Sequence, residues 1–360
     1  MKNKEAELAQ KLIQHIRQIS TQPIRLMEFC GGHTVAILKN GLRQLLPDTV
    51  KLFSGPGCPV CVTATGDIDK ILALSRQPGV ITASFGDLLR VPGSDSSLQQ
   101  SRADGNDVRI VYSALEALDL AHQYPERQVV MIGIGFETTA PTIAASILQA
   151  SEEGLRNYSV FSFHKLTPPV MKAILDTGET HINGIICPGH VSAITGSRPY
   201  EFIPRDYGIA CAIMGFEPLD ILWGVDRLVH QIEHLHPEVE IAYRRAVRPE
   251  GNLKAQELMQ RVFEKSSAWW RGIGSIPESG LKIKTEFQQF DAASRFDLPA
   301  ISTREPAGCI CGEILRGLNM PADCRLFQSA CTPEHPVGPC MVSSEGACSS
   351  YNLYGDSDGP

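Results

Sequence analysis

Ser54-Gly55-Pro56-Gly57-Cys58-Pro59-Val60-Cys61 is the stretch around which this chain is organised. It follows a short apolar run, Val50, Leu52 and Phe53, that reads as a strand. It precedes Asp67 to Leu74, where Ile68, Ile71, Leu72 and Leu74 keep helical spacing. The two thiols then fall on a turn leading toward a helix start, where backbone N–H groups and the helix dipole are expected to lower a cysteine pKa. A Cys-x-x-Cys pair in that setting can open and close a disulfide or hold a soft metal. Two plain buried cysteines on a turn satisfy the same pattern.

Outward from this stretch the same alternation repeats. Strands are expected at Ile24–Phe29, Val50–Phe53, Gly79–Ala83, Val108–Tyr112, Val129–Ile134, Ser159–Phe163, Gly184–Ile186, Ile209–Met214 and Val239–Tyr243. Helical patterns lie between them, with a terminal one at 4–20 and a proline-led one at 218–234. Strands alternating with helices predict an α/β fold with parallel sheets covered on both faces. The pattern restarts near Val129, and one block echoes another. Cys30-Gly31-Gly32-His33-Thr34-Val35-Ala36-Ile37 and Cys187-Pro188-Gly189-His190-Val191-Ser192-Ala193-Ile194 share Cys, Gly, His, Ala and Ile in register. Two similar parallel-sheet lobes around a cleft are therefore expected, at 21–123 and 124–250. Residues 1–20 and 251–360 are expected to form a third, loop-rich and helical domain.

At 360 residues the chain exceeds one typical core. With 43% hydrophobic and 20% charged residues it has an ordinary globular composition. A net charge of −7 offers no basic surplus for nucleic acid. No run of eighteen apolar residues predicts a membrane span, and the charged start lacks the apolar core of a signal peptide, so a cytoplasmic protein is expected. Eleven cysteines in a reducing compartment point to metal, iron–sulfur or thiol chemistry. Three lie early, two mid-chain and six crowd into 309–348, which implies two separate sulfur sites.

In Cys30-Gly31-Gly32-His33, a thiolate and an imidazole at a helix start suit a transition metal or a His-activated thiolate. A buried Cys with its His satisfied by a carbonyl fits as well. Gly135-Phe136-Glu137-Thr138-Thr139-Ala140-Pro141 brings a carboxylate to another strand-to-helix turn. Glu137 is a candidate to accept a proton or orient a cleft group, and the threonines read as helix caps. His190 has the same alternatives as His33, while Cys211, amid Ile209-Ala210-Cys211-Ala212-Ile213, reads as core. Cys309, Cys324, Cys331 and Cys348 sit on a segment too poor in periodic apolar residues to order itself. Four thiolates there satisfy zinc or an iron–sulfur cluster. The absence of paired Cys-x-x-Cys knuckles favours [4Fe–4S].

These blocks, Cys30-Gly31-Gly32-His33-Thr34, Gly55-Pro56-Gly57-Cys58-Pro59-Val60-Cys61, Gly135 to Pro141 and Cys187-Pro188-Gly189-His190-Val191, resemble the signature blocks of the HypD family of [NiFe]-hydrogenase maturation factors. The match runs from about residue 20 to the C-terminus, with no departure at a motif position. The resemblance implies an iron-binding redox scaffold rather than a conventional turnover enzyme. On it the Fe(CN)₂CO group, Fe(II) with CN and CO ligands, is assembled before transfer to the hydrogenase large subunit. It implies HypC and HypE as partners, with HypE carrying cyanide made through HypF. It implies Cys30 as the iron-binding thiolate with His33 as its neighbour, and Cys58 and Cys61 as a redox pair. Cys309, Cys324, Cys331 and Cys348 would hold a [4Fe–4S] cluster, leaving Cys311 and Cys340 as non-ligands. The alternative is an iron–sulfur-linked thiol/disulfide oxidoreductase acting on a small substrate or protein disulfide.

Overall fold

The computed structural model describes residues 2–299 and 302–355. All nine expected strands are present, and every pairing among them is parallel. They are β1 (Ile24–Glu28), β2 (Val50–Ser54), β3 (Val80–Ser84), β4 (Val108–Ile110), β5 (Gln128–Gly133), β6 (Tyr158–Ser162), β7 (Gly184–Pro188), β8 (Ala210–Met214) and β9 (Val239–Ile241). Burial explains why they read so clearly: β3 and β8 are buried at every position, as strands covered by helices on both faces must be.

The sheets do not divide where the sequence was expected to divide. One sheet has the order β2-β1-β7-β8-β9 and the other β4-β3-β5-β6. The chain leaves the first sheet after β2, builds the whole of the second, and returns at β7. The boundary at 123/124 is therefore corrected: each expected lobe mixes strands of both sheets. The sequence echo has another meaning too. β1 and β7 are neighbours, with Leu26 opposite Gly184 and Glu28 opposite Ile186. The two Cys-x-Gly-His turns therefore stand side by side at the carboxyl edge of one sheet, where open α/β sheets form their clefts.

The N-terminal helix Lys2–Ile19 also belongs with the first sheet rather than with the tail. Leu12 and Ile16 pack among Ile221, Leu222 and Val225 of the helix Pro218–Glu233. His15 Nδ1 meets the buried Asp226 carboxylate at 2.5 Å.

After the helix Leu253–Val262 the chain forms an antiparallel hairpin, β10 (Phe263–Trp270) and β11 (Gly274–Ile283), in a region expected to be loop-rich and helical. This hairpin straps both crossovers between the sheets. On the outgoing one, the Arg271 N–H donates to Val62 O at 2.9 Å. On the returning one, the Leu166 N–H donates to Ser279 O at 2.8 Å. Trp270 is the anchor, with no exposed surface. Its indole N–H donates to Ser279 Oγ at 2.8 Å, and its ring lies 6.0 Å from Phe136. The tail then joins the main core, since Cys311, Ile314, Leu315 and Met341 pack in one apolar cluster with Cys61 and Trp270. We expect Trp270→Ala to cost about 3–5 kcal/mol in urea unfolding, the range for emptying a buried aromatic site.

A thiol-lined seam between the sheets and the tail

Cys30 is the second residue after β1 and caps the helix Gly31–Lys39 with extended backbone, φ −150 and ψ 121. The Gly55–Gly57 turn docks on it backbone to backbone. The Gly55 N–H donates to Glu28 O at 2.8 Å and the Gly31 N–H to Gly57 O at 3.0 Å. A Cβ on Gly57 would fall 2.2 Å from the Cys30 nitrogen, so a side chain there forces the two loops apart. A Cβ on Gly31 would fall 2.2 Å from Glu345 O, so the tail presses on the same turn from the other side. Three segments distant in sequence thus converge on Cys30.

Electrostatics at this point run opposite to the helix-start expectation. Desolvation of the sulfur and the Glu345 carboxylate push the Cys30 thiol up to about 12, against the pull of the Gly32 and His33 amides. Cys61 is fully buried beneath the tail, and burial raises its pKa well above the usual thiol range. The turn lies ahead of the helix Thr65–Ser75 rather than in its first turn, so the dipole is too remote to compensate. Beside Cys30 stands a residue the motif reading missed. Glu28 is buried, its carboxylate accepting hydrogen bonds from the Cys30 N–H at 3.1 Å and from the Thr34 hydroxyl. Burial drives it up to about 8. The only available signal was a charge inside the otherwise apolar Leu26-Met27-Glu28-Phe29.

His33 is fully buried, and its Nε2 donates to the carbonyls of Met214 and Gly215 at 3.2 and 3.0 Å. Its Nδ1 is left a lone pair without a partner among the described residues. Burial lowers its pKa to about 4, so it stays neutral. Its ring stacks on Phe216 at 4.5 Å, and His190 stacks on the other face at 4.0 Å. The two echoed motifs meet across one phenylalanine that neither contains. Glu137 is placed differently. Its two oxygens accept the Thr167 N–H and hydroxyl, each at 2.7 Å, at the head of the helix Thr167–Thr177. This geometry gives it a capping position rather than an open carboxylate.

The remaining sulfurs form a line rather than two separate sites. The Cys61 N–H donates to Cys58 Sγ at 3.2 Å, and the Cys61 thiol faces Pro339 O at 3.9 Å. Cys61 interacts with Cys340, whose sulfur lies 2.7 Å from Cys311 Sγ. Cys311 in turn interacts with Cys309. All six tail cysteines, Cys309, Cys311, Cys324, Cys331, Cys340 and Cys348, line one enclosed cavity together with Ile314, Leu326, Phe327 and Met341. Gly338 lets the wall close there, since a Cβ would fall 2.8 Å from Cys309 Sγ. Burial and the neighbouring thiols Cys309, Cys331 and Cys324 hold the Cys348 pKa above the usual range. Cys187 and Cys211 are fully buried on adjacent strands, away from this line.

Fold and site together define a two-sheet α/β protein whose sulfurs run along a seam from a sheet edge to the C-terminal tail. A family model named HypD, described as the Hydrogenase formation hypA family, matches residues 7–355. A hydrogenase maturation factor HypD of Azotobacter vinelandii is 50% identical over 338 residues, covering 92% of this chain and 89% of its own length. HypD2 of Bradyrhizobium diazoefficiens is 47% identical over 343 residues, covering 93% and 90%. A putative hydrogenase expression/formation protein of Methanocaldococcus jannaschii is 40% identical over 349 residues, covering 96% and 97%. The chain belongs to the HypD family, and its work lies in hydrogenase maturation. Among the described residues, no helix is long and apolar enough to cross a membrane.

Glu28 makes the seam pH-dependent. Its folded pKa of about 8 lies above the ordinary 4.5, so its contribution is fully present below pH 4.5 and is lost as pH rises through 8. Urea titrations between pH 5 and 9 should show wild-type stability falling more steeply than that of Glu28→Gln. The expected difference is on the order of 2–4 kcal/mol across the range.

Proposed function

We propose that this protein is the scaffold on which the Fe(CN)₂CO fragment is built, with Cys30 as the iron-binding thiol and HypC and HypE as the attending partners. The observation that carries this reading is the convergence of the Cys30 turn, the Cys58–Cys61 turn and the Glu345 tail segment by direct backbone contact. Low-spin iron(II) bearing cyanide and CO favours soft thiolate ligands. A Cys30 thiol held protonated up to about 12 gives up its proton when a cation replaces it, so iron binding and thiolate formation are one event. Glu28, hydrogen-bonded to the Cys30 backbone and mainly protonated at neutral pH, adds no competing charge to this event. His33 stays neutral, with its Nδ1 lone pair turned to no protein donor. Cys30 is only partly buried, which leaves it an open side toward a second cysteine from a partner chaperone.

Cys309, Cys324, Cys331 and Cys348 fit a [4Fe–4S] cluster. With Cys311 and Cys340 they line one enclosed apolar cavity, and burial among neighbouring thiols holds Cys309 and Cys348 protonated until a cation compensates. Such a group supplies single electrons when bound. The protein's own contribution is the thiol series between that cavity and Cys30. With Cys58 and Cys61 oxidised, a Cys340 thiolate attacks Cys61 Sγ, the Cys58–Cys61 bond breaks, and Cys58 leaves as a thiolate and takes up the proton. Cys311 then attacks Cys340 and releases Cys61. One disulfide and two thiols are exchanged for one disulfide and two thiols, so atoms and electrons balance. Cys311 and Cys340, expected only as non-ligands, thereby become the exchange partners of the Cys-x-x-Cys pair.

Co-purification with HypC and HypE, followed by infrared spectroscopy, tests the scaffold. Bands of iron-bound CN and CO are expected in the wild-type complex and not in Cys30→Ala. Their persistence in Cys30→Ala removes the assignment. For the relay, we expect Cys311→Ser to keep the absorbance of the tail cluster while hydrogenase maturation falls at least tenfold. Undiminished maturation would show that Cys311 takes no part.

A further inference from the structure

A cavity of about 1040 Å³ has no cysteine among its lining residues and no part in the function above. Its walls are the start of the helix Thr65–Ser75, the His164-Lys165 segment after β6, the inner side of the hairpin around Ser266–Trp269, and residues 296–299 with Thr303 and Glu305. Three observations on these walls point the same way.

The first is Lys165, only 2% exposed. Its Nζ donates to Trp269 O at 2.9 Å and stands 5.6 Å from the centre of the Trp270 ring. Among the described residues, no carboxylate comes within ion-pair distance of it. A buried ammonium without a counter-charge is costly, and folds retain one where something else supplies the charge. Burial lowers its pKa to about 8, which keeps it mainly protonated at neutral pH. The second is its neighbour His164, 1% exposed, with Nδ1 on Ser162 Oγ at 3.0 Å and Nε2 without a partner among the described residues.

The third is the helix start itself. Ala64 is its N-cap and has no side chain to accept a hydrogen bond. Among the described residues, the amides of Thr65 and Gly66 meet no acceptor, and Gly66 faces the cavity. An uncapped helix N-terminus beside an unpaired lysine is the arrangement that binds oxyanions. Of the acids around the cavity, Asp67 alone acts on Lys165, through space and without a direct ion pair, and Lys70 beside it opposes that effect. Asp67 answers Lys70 at 3.4 Å, Glu305 answers the buried Arg271 at 3.5 Å, and Asp297 sits at the exposed rim.

We propose that this cavity is a binding site for a small organic oxyanion, a phosphate ester or a carboxylate, held by Lys165 Nζ and the open amide of Gly66. The cavity has room for a metabolite-sized body beyond the anionic group.

Thermal unfolding and calorimetry of the full chain with inorganic phosphate, pyrophosphate, succinate and citrate test the site, with sodium chloride at matched ionic strength as control. A saturable rise in Tm with either the phosphate or the dicarboxylate series is expected, and the responding series identifies the ligand class. Lys165→Met should unfold no earlier than wild type, because it removes an unpaired buried charge. It should bind the responding anion at least about tenfold more weakly, the loss expected for a charged hydrogen bond. Lys165→Arg, which keeps the charge, should retain part of the affinity. A response equal to that of sodium chloride, or one unchanged in Lys165→Met, overturns the proposal. So does Lys165→Met that unfolds several degrees early in the absence of any anion response, which would mark Lys165 as a purely structural tether to Trp269.

Discussion

The contact on which this molecule depends is the backbone docking of the Gly55–Gly57 turn against the end of β1. It involves no side chain from Gly57, and the geometry leaves no room for one, since the place of a Cβ is taken by the Cys30 nitrogen. Two hydrogen bonds fix the approach, and the Cys58–Cys61 turn is carried to Cys30 as a consequence. Glu345 closes the third side through an equally tight approach to Gly31. Without these glycines the sulfurs of three segments have no common address.

The same convergence sets the chemistry. Gathering thiols and carboxylates out of water raises their proton affinities together, as at Cys30, Cys61, Cys348 and Glu28. A seam of this kind is neutral when empty and becomes anionic only against a bound cation. That suits the iron-carrying role proposed above. It also explains why the helix-start expectation does not hold for Cys61. Local dipoles act over one turn of helix, whereas the tail that buries Cys61 arrives from nearly three hundred residues away, at Pro339 and Cys340.

What the sequence disclosed follows the same division between local and distant causes. The nine parallel strands were legible because a strand buried on both faces must be apolar throughout, as Val80–Ser84 and Ala210–Met214 are. Their partners were not. Nothing local in Gly184–Pro188 announces that it pairs with Ile24–Glu28, so the restart near Val129 was taken for a second lobe. The hairpin from Phe263 was missed because its exposed positions break the apolar alternation. At the site, the motifs led directly to Cys30, His33, Cys58, Cys61 and His190. Phe216, Glu28 and the close pair Cys311 and Cys340 lay outside any motif, since their meaning is purely spatial.

The interleaved sheet order carries a consequence for biogenesis. As the chain leaves the ribosome, β1 and β2 emerge first and can pair only with each other. The central neighbour of β1 is β7, at 184–188, and the whole second sheet is synthesised before it appears. The edge of β1 that later carries Cys30 therefore stays open through much of translation, exposed to mispairing and to chaperones. Its thiol acquires a finished setting only when the tail at Glu345 has followed, so the metal loading proposed above would wait for the completed polypeptide.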